Sequence, residues 1–510
     1  MDHYSDKNKG SFFGQSRLLL GLVMFVMFSL GLGIRLYDLT DEPLDFHPTR
    51  QLRSAIMARG MYYYLSPSAP EWERQRAIEQ LAGESLIEPP IFESVVALTY
   101  RLIGSDAVWV ARLYASLFWI IGGVALFFLA SAMTSPDGGV LATAYYLFVP
   151  FGVIASRSFQ PDPLMVMFIL LALWAFYRWY RQQSWKSAIL AGVLAGIALF
   201  VKAVALFPVL FALAAFILVA RGLRRAIRDP QIWVIALLAA LPVLAYHIYG
   251  VYVLGSLESQ FAGRFFPEMW RDLGFYLRWE DWVTGLVGYG AIMAAVLGVF
   301  LFPTPPLRAF GIGLWVGYWV YGMTFAYHIT THSYYHLPLI PIIAITLAPL
   351  GAVLFRPLTL LKPVLLTRVF VSGVLLFAIL IQVWNVRVDL AEDNFRDEPA
   401  YWRQIGEVLG RDASVIALTQ DYGNRLAYYS WITPKVWLPL GHLNYRKLQG
   451  KPPLEVQQWF AEKTGNKDFF LVTMLDQLDR QPELKDLLYD NYAVFSEGDG
   501  YIIFDLRQLK

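Results

Sequence analysis

The stretch that decides the fold is Leu18–Leu36, LLLGLVMFVMFSLGLGIRL, which is followed by the polar run Asp41–Arg50, DEPLDFHPTR. The first run is apolar and long enough to cross a bilayer as a helix. No small-x-small cleavage site follows it, so we expect a retained first membrane helix rather than a signal peptide. The polar run places acids, an imidazole and a guanidinium beside this helix. Charged groups next to hydrocarbon need a partner or water, which makes them functional candidates.

Composition indicates an integral membrane protein. The chain has 510 residues, of which 57% are hydrophobic and only 16% are charged, whereas soluble domains carry about 25% charged residues. The mean hydropathy is +0.45. A net charge of +2 gives no indication of nucleic-acid binding. The chain has no cysteine, which excludes disulfides, thiolate catalysis and cysteine-ligated metals.

Apolar runs recur until residue 387 and predict a polytopic α-helical membrane protein with about 11 transmembrane helices. The predicted spans are 18–36, 107–131, 138–157, 163–179, 187–201, 203–220, 232–254, 283–302, 309–327, 337–355 and 367–387. A shorter apolar segment, 90–103, is expected to lie at the membrane interface.

The distribution of arginine and lysine orients these helices. With a cytoplasmic N-terminus, the inner loops hold most of these residues, whereas the short outer loops hold little beyond Arg157 and Lys202. Because cytoplasmic loops carry the excess of positive charge, this orientation is favoured. It places the first loop (37–106), the loop 255–282 and the chain after residue 388 outside.

The last part of the chain changes character. β-branched runs at 414–418, 469–473 and 501–504 alternate with amphipathic segments at 398–409, 454–465 and 478–489. This alternation predicts a C-terminal extracytoplasmic α/β domain. We therefore divide the chain into a transmembrane catalytic domain, 1–387, which includes the first outer loop, and an accessory domain, 388–510.

Polar residues from separate loops fall on the predicted outer face, and each also has a structural interpretation. Asp162 precedes Pro163 and could simply start a helix. Lys202 could extend to the interface without a further role. Arg50, Arg53 and Arg59 could belong to an exposed charged helix face. What favours function is that acids and cations from distant loops share one side of the membrane.

The histidines after the predicted ninth span form a second group. His328, His332 and His336 have the spacing of one helix face and could suggest a metal site. Pro338 and the absence of clustered acids favour a hydrogen-bonding rim instead. We predict no cofactor, although a divalent cation at Asp45 and Asp162 stays open.

This set of groups suits a lipid phosphate at headgroup depth. Arginine and lysine bind phosphate oxygens and stabilise the charge that develops on a leaving phosphate. A nearby carboxylate can take a proton from an acceptor hydroxyl. The chemistry that fits is transfer of a sugar from a polyprenyl-phosphate donor.

Five motifs resemble one known family. They are Asp45–His47 with Ala58–Met61, Glu88–Ile91, Gln160–Leu164, Lys202–Val204 and His332–Pro341. Together with the topology of roughly residues 15–350, they resemble the GT-C superfamily of membrane glycosyltransferases. The similar branch holds the bacterial aminoarabinose transferase and the protein O-mannosyltransferases.

The resemblance implies roles for residues at the matching positions. Asp45 would be the principal catalytic carboxylate, and Asp162 would assist it or orient the acceptor. The implied donor-phosphate ligands are Lys202, Arg50, Arg53, Tyr335 and His336, and the implied substrate contacts are His47, Glu88 and His332. Two departures matter: Phe46 interrupts the family's acidic pair, so Asp41–Glu42 could supply the acid, and the family's lysine beside Glu88 is missing.

The sequence thus predicts an inverting glycosyltransferase of a bacterial inner membrane, which transfers a hexosyl or pentosyl group. Its partners would be a polyprenyl-phosphate-linked sugar, a lipid, glycan or protein acceptor, and membrane lipids. A lipid or glycan transporter would instead place polar groups near the bilayer midplane in paired broken helices. A non-catalytic membrane assembly protein is the third alternative.

Overall fold

A computed structural model describes residues 10–66, 69–255, 257, 264–392 and 394–510. The polar segment before residue 10 and part of the predicted loop 255–282 lie outside the described residues. The helices of the first half are α1 Arg17–Arg35, α2 Pro48–Tyr64, α3 Glu71–Gly83, α4 Ile91–Ile103, α5 Trp109–Met133, α6 Pro136–Phe148, α7 Pro150–Ala155, α8 Asp162–Gln182, α9 Trp185–Val201, α10 Leu206–Arg221, α11 Leu223–Ala226 and α12 Pro230–Tyr252.

The second half continues with helices and then a sheet. Its elements are α13 Leu273–Val287, α14 Tyr289–Leu301, α15 Pro305–Thr324, α16 Ala326–Ile329, α17 Leu339–Phe355, α18 Val364–Glu392, α19 Glu398–Leu409, β1 Val415–Leu418, α20 Asn424–Ser430, β2 Lys435–Val436, α21 Leu440–Leu448, α22 Val456–Thr464, β3 Phe469–Val472, α23 Leu475–Asp479, α24 Pro482–Asn491, β4 Tyr492–Gly498 and β5 Tyr501–Leu509.

The predicted count of 11 spans is not confirmed. Among the described residues, 7 helices are long and apolar enough to cross a membrane, or 8 if the pair α13 and α14, bent by 93°, forms one span. Both counts establish a multi-pass membrane protein.

The other predicted spans differ for local reasons. The span 138–157 is two short helices, because Pro150 ends α6 and leaves Val149 in an extended conformation. The span 187–201 corresponds to α9, which has only 17 residues. The span 309–327 corresponds to α15, which contains several glycines and aromatic residues and is less apolar than the 7 helices. The span 283–302 is broken at Gly288, which has a φ of 86°.

The chain forms two compact units, and the predicted domain boundary at residue 387 stays a prediction. The first, the membrane unit, comprises the described parts of Met1–Leu39, Leu86–Phe92 and Trp109–Asp393. The second, the sheet unit, comprises the described parts of Thr40–Ser85, Glu93–Val108 and Asn394–Lys510. The segment that contains Asp45 therefore belongs to the same unit as the C-terminal part of the chain.

Helices of the membrane unit pack closely through small residues. A Cβ atom at Gly196 of α9 would collide with the carbonyl of Leu238 in α12, and one at Gly313 of α15 would collide with the carbonyl of Phe211 in α10. Small residues allow such close backbone approach between membrane helices. These contacts hold α9 and α10, the two helices that flank Lys202.

The sheet unit contains a five-stranded mixed sheet with the order β2-β1-β3-β5-β4. Strands β2, β1 and β3 are parallel, and β5 is antiparallel to both β3 and β4. Alternate residues of β1, β3 and β5 are buried on opposite faces of the sheet, as expected for strands covered on both sides. The predicted strand runs correspond to β1, β3 and β5, and the predicted amphipathic segments correspond to α19, α22 and α24.

Candidate functional site

A buried ion pair forms the centre of the candidate site in the membrane unit. Lys202 follows the last residue of α9 in an extended conformation, and the chain then enters a short turn before α10. Its Nζ atom donates to both carboxylate oxygens of Asp162, at 2.8 and 3.0 Å. The exposed fraction is 7% for Lys202 and 1% for Asp162. The two residues that the sequence placed in separate outer loops are thus in direct contact.

Asp162 occupies the start of a helix, a position that suits an acidic side chain. It is the first residue of α8 and is followed by Pro163, whose missing N–H costs nothing at this position. The N-terminus of a helix carries a partial positive charge, which stabilises a carboxylate there. The structural and the functional interpretations of Asp162 are therefore compatible: it starts the helix and it also holds Lys202.

Two tyrosines complete the surroundings of the lysine. Nζ of Lys202 lies 5.0 Å from the ring centroid of Tyr334 and 5.8 Å from that of Tyr335, within the range of a cation–π interaction. Tyr335 in turn stacks on Tyr321 of α15, at a centroid distance of 5.8 Å. One carboxylate and two aromatic rings therefore surround the ammonium of Lys202. These groups stabilise its positive charge, which can also attract an anionic ligand.

His336 belongs to a hydrogen-bonded chain behind these tyrosines. Its Nε2 atom lies 2.8 Å from the carbonyl of Ile329, and its Nδ1 atom lies 2.6 Å from the hydroxyl of Tyr318. Because a carbonyl only accepts, Nε2 carries the proton and Nδ1 accepts from the tyrosine. Trp279 donates to the Tyr318 oxygen at 3.1 Å. His336 is fully buried with both ring nitrogens engaged, which suits it to fix the loop that carries Tyr334 and Tyr335.

The other two histidines of this loop lie apart from His336. His328 stacks on Tyr335 at 5.3 Å, and His332 accepts or donates at Nδ1 to Thr331. Burial, Arg264 and His332 lower the pKa of His328 to about 3. The three histidines do not share one helix, since His328 lies in α16 and His336 in a separate turn, Ser333–His336. In the described part of the chain, no three His, Asp or Glu side chains are arranged to hold a metal ion.

Glu88 lies half-buried in the segment before α4, and it belongs to the membrane unit. It lies in Leu86–Phe92, a short part of the membrane unit that is flanked in sequence by two parts of the sheet unit. Its predicted role as a substrate contact stays a prediction.

The predicted catalytic carboxylate, Asp45, lies in the sheet unit and is half-buried. The side-chain amide of Gln51 in the first turns of α2 donates to Asp45 Oδ1 at 3.0 Å and to the carbonyl of Phe46 at 2.8 Å. His47 adopts a left-handed conformation with a φ of 47°, and Pro48 then begins α2. Such backbone strain is concentrated at functional sites. The predicted meeting of Asp45 with Asp162 and Lys202 stays a prediction.

The arginines near Asp45 differ in their surroundings. Arg53 donates from Nε to Glu84 at 3.1 Å and also bonds to the carbonyl of Ser85. Burial raises the pKa of Glu84, against the opposing effect of Arg53. Arg50 is half-buried in the first turn of α2. To contact a donor phosphate as predicted, Arg53 would have to leave Glu84 or Ser85.

The alternative acids, Asp41 and Glu42, are each held by a residue of the C-terminal segment. Asp41 accepts from Arg396 at 3.3 Å, and Glu42 accepts from the hydroxyl of Tyr429 at 2.7 Å. Thr49, on the other side of Asp45, donates to Asp421 at 2.8 Å. These acids therefore serve as anchors for the Asp45 segment.

Sequence reasoning missed the residues that position the candidates. Gln51 could have been found as an amide in the first turns of the helix after Asp45. Tyr318, Trp279 and Tyr429 carried no local signal, because each reaches its partner from a distant part of the chain.

Comparison with known proteins finds similarity to glycosyltransferases. The family model described as dolichyl-phosphate-mannose-protein mannosyltransferase matches residues 87–249. The lipid A galacturonosyltransferase RgtD of Rhizobium johnstonii is 28% identical over 162 residues, which cover 32% of this chain and 34% of RgtD. The matched region thus spans about a third of that relative.

Solved structures extend the likeness to almost the whole chain. ArnT from Cupriavidus metallidurans, crystallised with undecaprenyl phosphate, superposes with a TM-score of 0.60 at 15% identity and covers 94% of this chain and 97% of ArnT. The chain therefore has the fold of these GT-C structures. A second GT-C structure, the archaeal oligosaccharyltransferase AglB from Archaeoglobus fulgidus with an inhibitory peptide and a dolichol-phosphate, has a TM-score of 0.53 at 10% identity and covers 94% of this chain and 74% of AglB. The resemblance found in the sequence motifs is confirmed.

Proposed function

We propose that this GT-C protein is an inverting glycosyltransferase, which moves a hexosyl or pentosyl group from a polyprenyl-phosphate donor to an acceptor outside the inner membrane. The observation that carries the proposal is the buried ammonium of Lys202, held by Asp162 and enclosed by Tyr334 and Tyr335. Asp162 supplies the anionic partner that a buried lysine in a membrane protein needs, and it keeps the ammonium in place for a second anion. A lipid phosphate is an anion that reaches such a site from the bilayer.

In this proposal Lys202 binds the donor phosphate, with Tyr335 beside it. Arg50 and Arg53 provide further positive charge. His336 acts on the phosphate site by fixing the tyrosine loop, because both of its ring nitrogens are already bonded. The likeness to ArnT, which was crystallised with undecaprenyl phosphate, and to AglB, which was determined with a dolichol-phosphate, supports this donor class.

The proposed reaction breaks one bond and forms one. The acceptor hydroxyl attacks the anomeric carbon from the side opposite the phosphate, the bond from this carbon to the phosphate oxygen breaks, and the configuration inverts. Asp45 takes the hydroxyl proton as general base, and Gln51 orients its carboxylate. Lys202 stabilises the charge that develops on the departing polyprenyl phosphate. Asp162 holds Lys202 and assists Asp45, while His47, Glu88 and His332 contact the sugars.

The acceptor class to test first is a lipid-linked sugar, because RgtD is by name a lipid A transferase. The proposed location is a bacterial inner membrane, with the chain after residue 388 outside. This orientation rests on the distribution of arginine and lysine between the loops.

The test is transfer from a panel of radiolabelled polyprenyl-phosphate sugars to extracted envelope lipids by the purified full chain in nanodiscs. We expect Asp45→Asn to reduce kcat by at least about 100-fold, since a general base contributes at least this factor, with unchanged donor binding. Lys202→Met should weaken donor binding. The matched control is Asp412→Asn, a fully exposed carboxylate of the same unit. Wild-type transfer by Asp45→Asn would remove Asp45 from this role, and no transfer from any donor would contradict the proposed activity.

A further inference from the structure

A cavity lies at the other end of α8 from Asp162. It has a volume of about 860 Å³ and is lined mainly by apolar and aromatic side chains, among them Met133, Tyr177, Phe216 and Leu307. Arg178 and Arg181 also line it. Its volume lies within the range of about 300–1,000 Å³ that is typical of small-molecule sites.

The cavity is distinct from the candidate active site. A helix rises 1.5 Å per residue, so Tyr180, which lines the cavity, lies about 27 Å along α8 from Asp162. This is close to the thickness of the hydrocarbon core, about 30 Å. The cavity therefore opens at the opposite face of the membrane from the Asp162–Lys202 pair.

Positive charge dominates at the cavity. Arg178 and Arg181 are both exposed, and Arg178 lies 4.9 Å from the ring of Trp174. Within the residues that the structure describes, neither arginine forms an ion pair. Asp137, beside the lining residue Pro136, is directed elsewhere, since its oxygens accept from the amide nitrogens of residues 12 and 13 at 2.8 Å.

We propose that this cavity binds an anionic phospholipid. Its phosphate would lie between Arg178 and Arg181, because guanidinium groups match phosphate oxygens in geometry and charge. One acyl chain would cover the wall formed by Phe216 and Leu307. In the orientation favoured by the loop charges, this is the cytoplasmic leaflet, whose anionic lipids attract arginines near the membrane surface. The proposal does not depend on the catalytic function.

Native mass spectrometry of the full chain tests the proposal. The protein is released from nanodiscs that contain equal amounts of phosphatidylglycerol and phosphatidylcholine, and the retained lipids are counted. We expect wild type to retain phosphatidylglycerol preferentially. The double variant Arg178→Gln/Arg181→Gln should retain it about 25-fold less, since each arginine near an anionic lipid contributes roughly fivefold in affinity.

Two further variants distinguish lipid binding in the cavity from a general effect of positive charge on the protein surface. Arg224→Gln/Arg225→Gln removes the same charge from exposed residues of α11 that do not line the cavity, and it should retain the lipid like wild type. Thr304→Phe, at an exposed lining residue, should obstruct the cavity without a change of charge and lower retention. Size-exclusion profiles and melting temperatures in phosphatidylcholine alone check that each variant is folded. Equal loss in both arginine pairs, or no preference in wild type, would overturn the proposal.

Discussion

At the scale of single residues, the ion pair between Lys202 and Asp162 governs both stability and the proposed donor site. Removing one partner of a buried pair leaves an uncompensated charge, which costs about 3–5 kcal/mol. We therefore expect Asp162→Leu and Lys202→Met each to lower the melting temperature of the purified protein strongly. Because an apolar pair of similar volume can replace a buried ion pair, the double variant should recover much of this stability.

A sugar-transfer assay separates the contribution of this ion pair to stability from its role in the proposed donor site. The double variant should stay inactive in sugar transfer although its melting temperature recovers, because no ammonium is left for the phosphate. The control is Arg278→Ala, which breaks the exposed pair with Asp272 at 3.2 Å and should cost less than about 1 kcal/mol. A double variant that regains transfer would contradict the proposed role of Lys202.

His328 should make the stability of the protein depend on pH. Burial lowers its pKa to about 3, whereas its value in the unfolded chain is about 6.5. Above pH 6.5 the residue is neutral in both states and has no effect. As the pH falls below 6.5, only the unfolded state gains the proton, so stability decreases, by about 1.4 kcal/mol at pH 5.5.

The measurement is the melting temperature of wild type and His328→Phe between pH 7.5 and 5.5. Phenylalanine keeps a ring for the stack on Tyr335. As the pH falls, the melting temperature of wild type should decrease relative to that of His328→Phe. Parallel curves would show that His328 binds protons equally in both states.

The sequence predicted residue types better than residue partners. Asp162 and Lys202 stood out because a charge beside an apolar helix is costly wherever it lies. His336 also stood out, but its hydrogen bonds to Tyr318 and Ile329 could not be predicted. These partners come from different elements, and their approach depends on how the helices pack.

At the scale of elements, α2 is fixed to the C-terminal segment through Arg59. This buried guanidinium donates to the carbonyls of Ala427 and Tyr428 at 3.1 and 2.7 Å and to Gln80 at 2.9 Å. It also lies 3.9 Å from the ring of Trp431. Unsatisfied buried carbonyls cost about 1–3 kcal/mol each, so Arg59→Met should lower stability by about 3 kcal/mol.

Chymotrypsin digestion and thermal unfolding measure this effect. Arg59→Lys should recover only part of the stability, because an ammonium does not reproduce the fork of the guanidinium. Arg74→Met removes a partly exposed arginine that pairs with Glu71 in the neighbouring helix, and it should unfold like wild type. If Arg59→Met unfolds at the same temperature as Arg74→Met, the contacts of Arg59 with the C-terminal segment do not contribute to stability.

Single residues determine where several helices end, and hydropathy alone does not reveal these positions. Pro150 divides a predicted span into two short helices, and Gly288 bends another by 93°. Both residues are visible in the sequence. A continuous apolar run nevertheless predicts one helix, because hydropathy averages over a window and does not register a single break.

At the scale of the whole molecule, the sequence predicted the membrane fold, whereas its division of the chain at residue 387 stays a prediction. The first loop and the C-terminal segment are about 300 residues apart in the chain, yet they form one unit. Contacts such as Glu42–Tyr429 and Thr49–Asp421 hold them together. No local pattern in either segment indicates its partner, so the sequence assigned them to separate domains.

The orientation of the molecule is directly testable because the chain contains no cysteine. Single variants Asp412→Cys and Arg224→Cys each introduce one thiol at an exposed residue. In right-side-out spheroplasts, a membrane-impermeant maleimide should label Asp412→Cys at once and Arg224→Cys only after lysis. The cysteine-free wild type is the control for background. The opposite pattern would place residues 388–510 in the cytoplasm, and a carboxylate base at Asp45 could then not serve an acceptor outside the cell, because the segment that carries it belongs to the same unit as those residues.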